Sequence, residues 1–204
     1  MVDVQLRRRG IRDERVLAAM GQIPREEFVP HESRVAAYAD NPIHVGYGQT
    51  ISQPYMTALM AELLELGGTE TVLEVGAGCG YAAAVLGQLA ERVVSIELVS
   101  ELAAEARYNL RRTGRDANIT IVAGDGNLGY PELAPFAAIS VAAAARDLPP
   151  ALMDQLADPG RLVIPVGGDD NQELLLVSRQ DGRIHSRVAT LCRFVPLLSG
   201  EGRR

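Results

Sequence analysis

The chain has 204 residues, 47% hydrophobic and 4% aromatic, with no tryptophan and a formal net charge of −6 at pH 7. That length suits one α/β domain with an extension, and the apolar share supports a core built mainly from Ala, Val, Leu and Ile. The acidic balance argues against nonspecific nucleic-acid binding, which needs a basic footprint. Cys79 and Cys192 lack the spacing of a disulfide framework or a zinc site and read as reduced thiols of a cytoplasmic protein.

Residues 1–15 are polar and carry Arg7-Arg8-Arg9, without the apolar stretch of a secretory signal. The arginine run reads as a solvated helix end or arm, with a partner contact as the rival reading. Val16, Leu17, Met20 and Ile23 recur at helical spacing, and Pro24 closes that short helix. Another helical piece runs from Pro30-His31-Glu32 to near Ala39. Asp40 to Tyr55 has two glycines, two prolines and many hydroxyl or amide groups, so a loop with special backbone needs is expected. It feeds a helix with an apolar stripe at Met56, Leu59, Met60, Leu63 and Leu64; Pro54 suits its first turn, Ser52 is a candidate N-cap, and Gly67-Gly68 ends it. Residues 1–66 thus read as a helical extension with a substrate loop, and 67–204 as the α/β core of the same domain.

The core opens on Thr71-Val72-Leu73-Glu74-Val75, a buried strand, followed by Gly76-Ala77-Gly78-Cys79-Gly80-Tyr81 and a helix marked by Ala82, Val85, Leu86 and Leu89. Glycines at this turn let the backbone approach a ligand closely. The acid Glu74 at the strand tip suits a ligand with positive charge, such as the ammonium and sulfonium of S-adenosylmethionine, better than a pyrophosphate. Cys79 is read as a small packed residue. A second strand, Val93 to Glu97, ends in a carboxylate 21 residues after Gly76, where a Rossmann-type unit places an acid on ribose hydroxyls. A third, Ile119 to Val122, leads to Gly124-Asp125-Gly126, where Asp125 either meets an adenine amino group or forms an Asp-Gly turn.

Ser100 to Arg112 reads as a helix with acids early and arginines late, as the helix dipole favours. Ala138–Val141 is a fourth strand and Pro149–Leu156 a helix. Asp158-Pro159-Gly160 turns into a fifth strand, Arg161–Val166, and Glu173–Ser178 and Ser186–Leu197 form a hairpin around Gln180-Asp181-Gly182. The expected architecture is a Rossmann-like α/β fold: a mostly parallel sheet closed by an antiparallel C-terminal hairpin.

Gly48-Gln49-Thr50-Ile51-Ser52-Gln53-Pro54, followed by the glycine motif, closely resembles the protein-L-isoaspartate (D-aspartate) O-methyltransferase family within the class I S-adenosylmethionine-dependent methyltransferases. Gly124-Asp125-Gly126, Ala134-Pro135-Phe136, the run Gly160 to Gly167 and Arg193-Phe194-Val195-Pro196-Leu197 agree, in order, over nearly the whole chain. The resemblance implies methyl transfer from S-adenosylmethionine, leaving S-adenosylhomocysteine, to the α-carboxylate of L-isoaspartyl residues in damaged proteins. It assigns the cofactor to Thr50, Ser52, Glu74, Gly76, Gly78, Glu97, Asp125 and Gly126. It assigns the substrate to Thr50, Ile51, Val195, Pro196 and Leu197, and gives Ser52 the catalytic, orienting hydrogen bond. No metal, nucleic acid or membrane is implied, and a monomer acting on isoaspartyl proteins or peptides is expected.

Some positions depart from the pattern. Asn41 and His44 stand where the family more often has Arg and Pro, Ala137 replaces a common Asp, and Ala77 and Cys79 replace hydroxyl residues. These departures leave room for a related carboxyl methyltransferase dedicated to one peptide. A nucleic-acid methyltransferase is disfavoured by the charge and by Ser140-Val141-Ala142-Ala143, where an Asn/Asp-Pro-Pro-aromatic motif would stand. A binding module without chemistry is disfavoured by the presence of Ser52, Glu97 and Asp125.

Overall fold

The computed structural model describes residues 1–168 and 171–200. Its centre is a seven-stranded sheet. The strands are β3 (Thr71–Val75), β4 (Arg92–Glu97), β5 (Ile119–Ala123), β6 (Phe136–Val141), β7 (Leu156–Gly167), β8 (Gln172–Gln180) and β9 (Arg183–Cys192), in the spatial order β5-β4-β3-β6-β7-β8-β9. From β5 to β7 all pairings are parallel, and β8 and β9 then add antiparallel strands. The order reverses between β3 and β6, the switch point at which an open α/β sheet leaves a crevice outside its strand ends.

Side-chain alternation explains why the central strands are so apolar. Val72, Val93, Ala138 and Val163 face one buried cluster with α1 (Glu14–Gln22), α2 (Pro54–Leu63), α3 (Tyr81–Gly87) and α4 (Ser100–Arg112). Leu73, Val94, Ile139 and Leu162 face the other, with α5 (Pro150–Asp154). A strand covered on both faces needs hydrophobic residues at every position. Leu6, Ile11, Val16 and Met20 of the N-terminal segment belong to the same cluster as Val72 and Val85. Among the described residues no helix is long and apolar enough to cross a membrane.

Several local expectations are corrected. The 40–55 loop contains a hairpin, β1 (Ile43–Gly46) with β2 (Gln49–Ile51), joined through Tyr47 and Gly48 at φ of 52° and 72°. Two successive positive φ values make the primed turn that fits hairpin twist. Ser52 does not cap α2: Gln53 holds the N-cap position without a side-chain bond, while Asp40 Oδ1 accepts from the Tyr55 N–H at 3.0 Å. Ser100 likewise is the first residue of α4 rather than its cap. The helix of residues 149–156 is shorter, and β7 already begins at Leu156, running through the 158–160 segment read as a turn. The last strand stops at Cys192 instead of reaching Leu197. From there the chain crosses to the end of β6: Ala144 N–H donates to Val195 O at 2.8 Å, and Leu197 N–H to Ala144 O at 2.7 Å. The arginine run is not simply solvated: Arg7 pairs with Glu14 at 2.5 Å, and Arg9 pairs with Asp40 and stacks 3.6 Å from the Tyr55 ring centroid.

Candidate active site

At the carboxyl ends of β3, β4 and β6 lies a cleft enclosing about 850 Å³ between protein atoms, its open mouth included. Four stretches far apart in sequence wall it: Gln49 to Ser52, the turn from Val75 to Cys79, Glu97 to Val99, and Val195 to Leu198. Thr57, Tyr81, Ala82, Ile96, Gly126, Ala142 and Ala143 also line it. Thr50, Ile51, Ser52, Gly76, Gly78, Glu97, Gly126, Val195, Pro196 and Leu197, all expected from sequence, therefore meet on one cleft. Glu74 and Asp125 do not reach its wall.

The glycine turn is shaped by backbone conformation. Gly78 takes φ +52°, and a Cβ there would meet no protein atom within 4 Å, so the position stays open beside the cleft. At Gly126 a Cβ would lie 2.3 Å from Val75 Cγ1, so only glycine lets the β5 loop close against β3. Glu97 fixes the turn from the neighbouring strand. Its Oε2 accepts from Gly78 N–H at 2.8 Å and its Oε1 from Val99 N–H at 2.9 Å. Each carboxylate oxygen keeps a lone pair for a further donor.

Glu74 is fully buried, one strand position before the turn. It accepts a hydrogen bond from the Ser95 hydroxyl through Oε2, while Oε1 has no partner among the described residues. Burial pushes its pKa up to about 8, against the opposing Ser95 bond, with the Glu97 charge adding to the rise. Burial thus favours its neutral form, and the side chain does not present the carboxylate expected at the strand tip to the cleft. The reason is its register: Glu74 faces the same side of the sheet as Val72, toward the helices.

Asp125 follows its turn-like reading. Its Oδ1 accepts from the backbone and side-chain N–H groups of Asn127, both at 2.9 Å, and its Oδ2 accepts from Gly200 N–H at 2.8 Å. Asn127 Nδ2 also donates to Leu198 O at 3.0 Å. Burial alone would raise the Asp125 pKa, but these hydrogen bonds outweigh it and hold the carboxyl below its ordinary value. The pair laces the C-terminal tail across the cleft next to Gly126.

The Ser52 hydroxyl makes no hydrogen bond to the protein among the described residues, so it is free for a ligand in the cleft that Ser52 lines. Its carbonyl accepts from Arg25 Nη2 at 2.7 Å. Sequence reading missed Arg25, since an arginine after a proline in a polar stretch carries no sign of burial. Asn41 and His44 are exposed and do not line the cleft; the Asn41 side chain donates to the carbonyl of the next residue, Pro42, at 3.1 Å. Ala137 lies within β6 away from the cleft wall.

Comparison with known proteins agrees with this geometry. The family model described as Protein-L-isoaspartate(D-aspartate) O-methyltransferase (PCMT) matches residues 1–202. A protein named Protein-L-isoaspartate O-methyltransferase from Koribacter versatilis is 52% identical over 202 residues, covering 99% of this chain and 90% of its own. One named Protein-L-isoaspartate O-methyltransferase 2 from Marinobacter nauticus is 54% identical over 204 residues, covering 99% and 93%. A crystal structure described as a β-aspartate methyltransferase from Plasmodium falciparum, in complex with S-adenosyl-L-homocysteine, superposes with a TM-score of 0.82 at 29% identity, covering 94% of each chain. The chain belongs to the protein-L-isoaspartate(D-aspartate) O-methyltransferase family.

Proposed function

We propose that this chain transfers a methyl group from S-adenosylmethionine to the α-carboxylate of L-isoaspartyl residues in proteins and peptides. The observation that carries the reading is the convergence of the Thr50–Ser52 segment, the glycine turn with Glu97 and the Val195–Leu197 segment on one cleft. The departures at Asn41, His44 and Ala137 lie off that wall, which removes the main reason to favour an enzyme dedicated to a single peptide.

The residues present fit the cofactor. Glu97 offers outward lone pairs suited to ribose hydroxyls, Gly78 leaves room for close backbone approach, and Gly126 and the apolar tail suit a flat adenine. We assign its binding to Gly76, Gly78, Glu97 and Gly126 directly. Asp125 acts by holding the tail, and Glu74 by supporting the turn from beneath. S-adenosylmethionine supplies a methyl group activated by positive sulfur.

The protein's own part is binding, orientation and exclusion of water. An isoaspartyl α-carboxylate is ionised at pH 7, so no general base is required to make it a nucleophile. Ser52, with its free hydroxyl, orients that carboxylate. Thr50 and Ile51 on one side and Val195, Pro196 and Leu197 on the other hold the acceptor in line and dry, where correct placement contributes most of the acceleration. The resulting ester leaves the enzyme. Attack by the amide nitrogen of the same backbone then expels methanol and forms a succinimide, whose hydrolysis returns part of the material as aspartate.

The cleft is walled by residues of one chain, both cysteines are free thiols and the formal net charge is −6, which supports action as a cytoplasmic monomer on isoaspartyl proteins rather than on nucleic acid. The test is to incubate an isoaspartyl peptide with the protein and S-adenosylmethionine and separate the products over time. Succinimide followed by aspartyl peptide is expected; an unchanged peptide with cofactor bound would refute the reading.

A further inference from the structure

Arg25 is among the largest fully buried side chains of the molecule, with 0% exposure. Burying a guanidinium is costly unless its donors are used and its charge is balanced. Among the described residues no carboxylate stands at ion-pair distance from it. Its donors instead go to main-chain carbonyls: Nε to Ala37 O at 2.7 Å and Nη2 to Ser52 O at 2.7 Å. The guanidinium carbon lies 4.8 Å from the ring centroid of Tyr81, which forms part of the cleft wall, and Phe28 meets the same ring edge-on at 5.6 Å. Nη1 is buried without a partner among the described residues.

These contacts join three pieces of chain. Ala37 closes the short helix of residues 31–36, Ser52 follows β2, and Tyr81 opens α3 behind the glycine turn. Ser52 lies outside both β2 and α2, and its side chain makes no hydrogen bond to the protein among the described residues. The Arg25 bond to its carbonyl is therefore the side-chain tether that fixes where the Ser52 hydroxyl sits relative to the glycine turn. The Arg9–Asp40–Tyr55 group holds the same loop from outside.

We propose that Arg25 is a positioning residue for methyl transfer, setting the Ser52 hydroxyl over the cleft by holding the Ser52 carbonyl. The inference rests on the function proposed above and adds a residue that touches neither substrate nor cofactor. The rigid fork of an arginine can hold two carbonyls at once, whereas a lysine keeps the charge with a different donor geometry. A role in placement and a role in stability alone then predict different kinetics.

The experiment compares the full-length wild-type protein with Arg25→Lys and Arg25→Met. The readouts are kcat and KM for an isoaspartyl peptide, affinity for S-adenosylhomocysteine, and amide hydrogen exchange, with rates normalised to folded protein. Arg25→Lys is expected to lower kcat about 30-fold, since small misplacements of an orienting group cost factors of that order. Cofactor affinity stays within about threefold, and exchange rises across residues 49–53 but not in β3 or β4. Arg25→Met is expected to lose at least as much kcat.

If Arg25→Lys lowers thermal stability but leaves kcat per folded molecule unchanged, the residue is only structural and the proposal fails. It also fails if cofactor affinity falls in step with kcat. Should neither variant fold, Arg25→Gln, which keeps amide donors without the charge, decides: kcat per folded molecule must fall with cofactor affinity kept, and an unchanged kcat would overturn the tether. A wild-type protein inactive on the peptide would instead refute the function and not this assignment alone.

Discussion

The backbone N–H of Gly200 donates to Asp125 Oδ2 at 2.8 Å, tying the chain's last described residue to the loop after β5. Asp125 thus serves the cleft through the tail. Asp125→Ala is predicted to weaken S-adenosylhomocysteine binding about tenfold, roughly 1.4 kcal/mol, the scale of one charge-assisted hydrogen bond. Titration calorimetry checks it, and limited proteolysis near Arg193 should accelerate in parallel. Unchanged affinity would mean that the tail holds its place without this bond.

Ser52→Ala is predicted to reduce kcat on an isoaspartyl peptide between about 10- and 100-fold, with S-adenosylhomocysteine affinity within about threefold of wild type. Because Ser52 does not cap α2, its loss should leave the melting temperature nearly unchanged. A substantial fall in melting temperature with proportionate loss of cofactor binding would contradict that separation of roles.

For Glu74 the prediction concerns pH. Its folded pKa, raised to about 8 by burial, lies above the value of an unfolded glutamate, so folding favours the protonated form. That contribution is complete below about pH 4, the range of an unfolded glutamate, and is lost as pH rises toward 8. Glu74→Gln removes the titration. Its melting temperature relative to wild type should therefore climb from pH 5 to pH 9 in thermal denaturation scans of the ligand-free protein. A pH-independent difference would show that Glu74 does not titrate in this range.

Asp40 joins two groups, the Tyr55 N–H of α2 and the Arg9 guanidinium. Asp40→Ala should cost about 1 kcal/mol in denaturant unfolding, the usual value of a lost helix cap. Arg9→Ala should cost less, because ion pairs with exposed partners contribute little. An Arg9 effect larger than the Asp40 effect would reverse this ranking.

The sequence made the sheet legible because its central strands are short apolar runs, and those of β3, β4 and β5 end at a glycine or an acid. Glu97 could be placed by its distance from Gly76, and the structure puts it on the cleft wall. The burial of Glu74 is not legible, because a strand-end acid does not reveal which face of the sheet it takes. Asp125 was ambiguous from sequence, since a turn-forming Asp and a ligand-binding Asp look alike until Gly200 is seen beside it. Arg25 and Asp40 were invisible as site-shaping residues because their partners lie 27 and 15 positions away. The end of β9 was overextended because the alternating apolar pattern continues to Leu197, while Pro196 and the pairing with Ala144 draw the chain over the cleft.

The most direct measurement is methyl transfer from labelled S-adenosylmethionine to two synthetic peptides that differ only in L-isoaspartate versus L-aspartate at one position. The isoaspartyl peptide is expected to be labelled at least about 100-fold faster, as a base-labile ester. Equal rates on both peptides, or transfer to neither while S-adenosylhomocysteine still binds, would contradict that expectation.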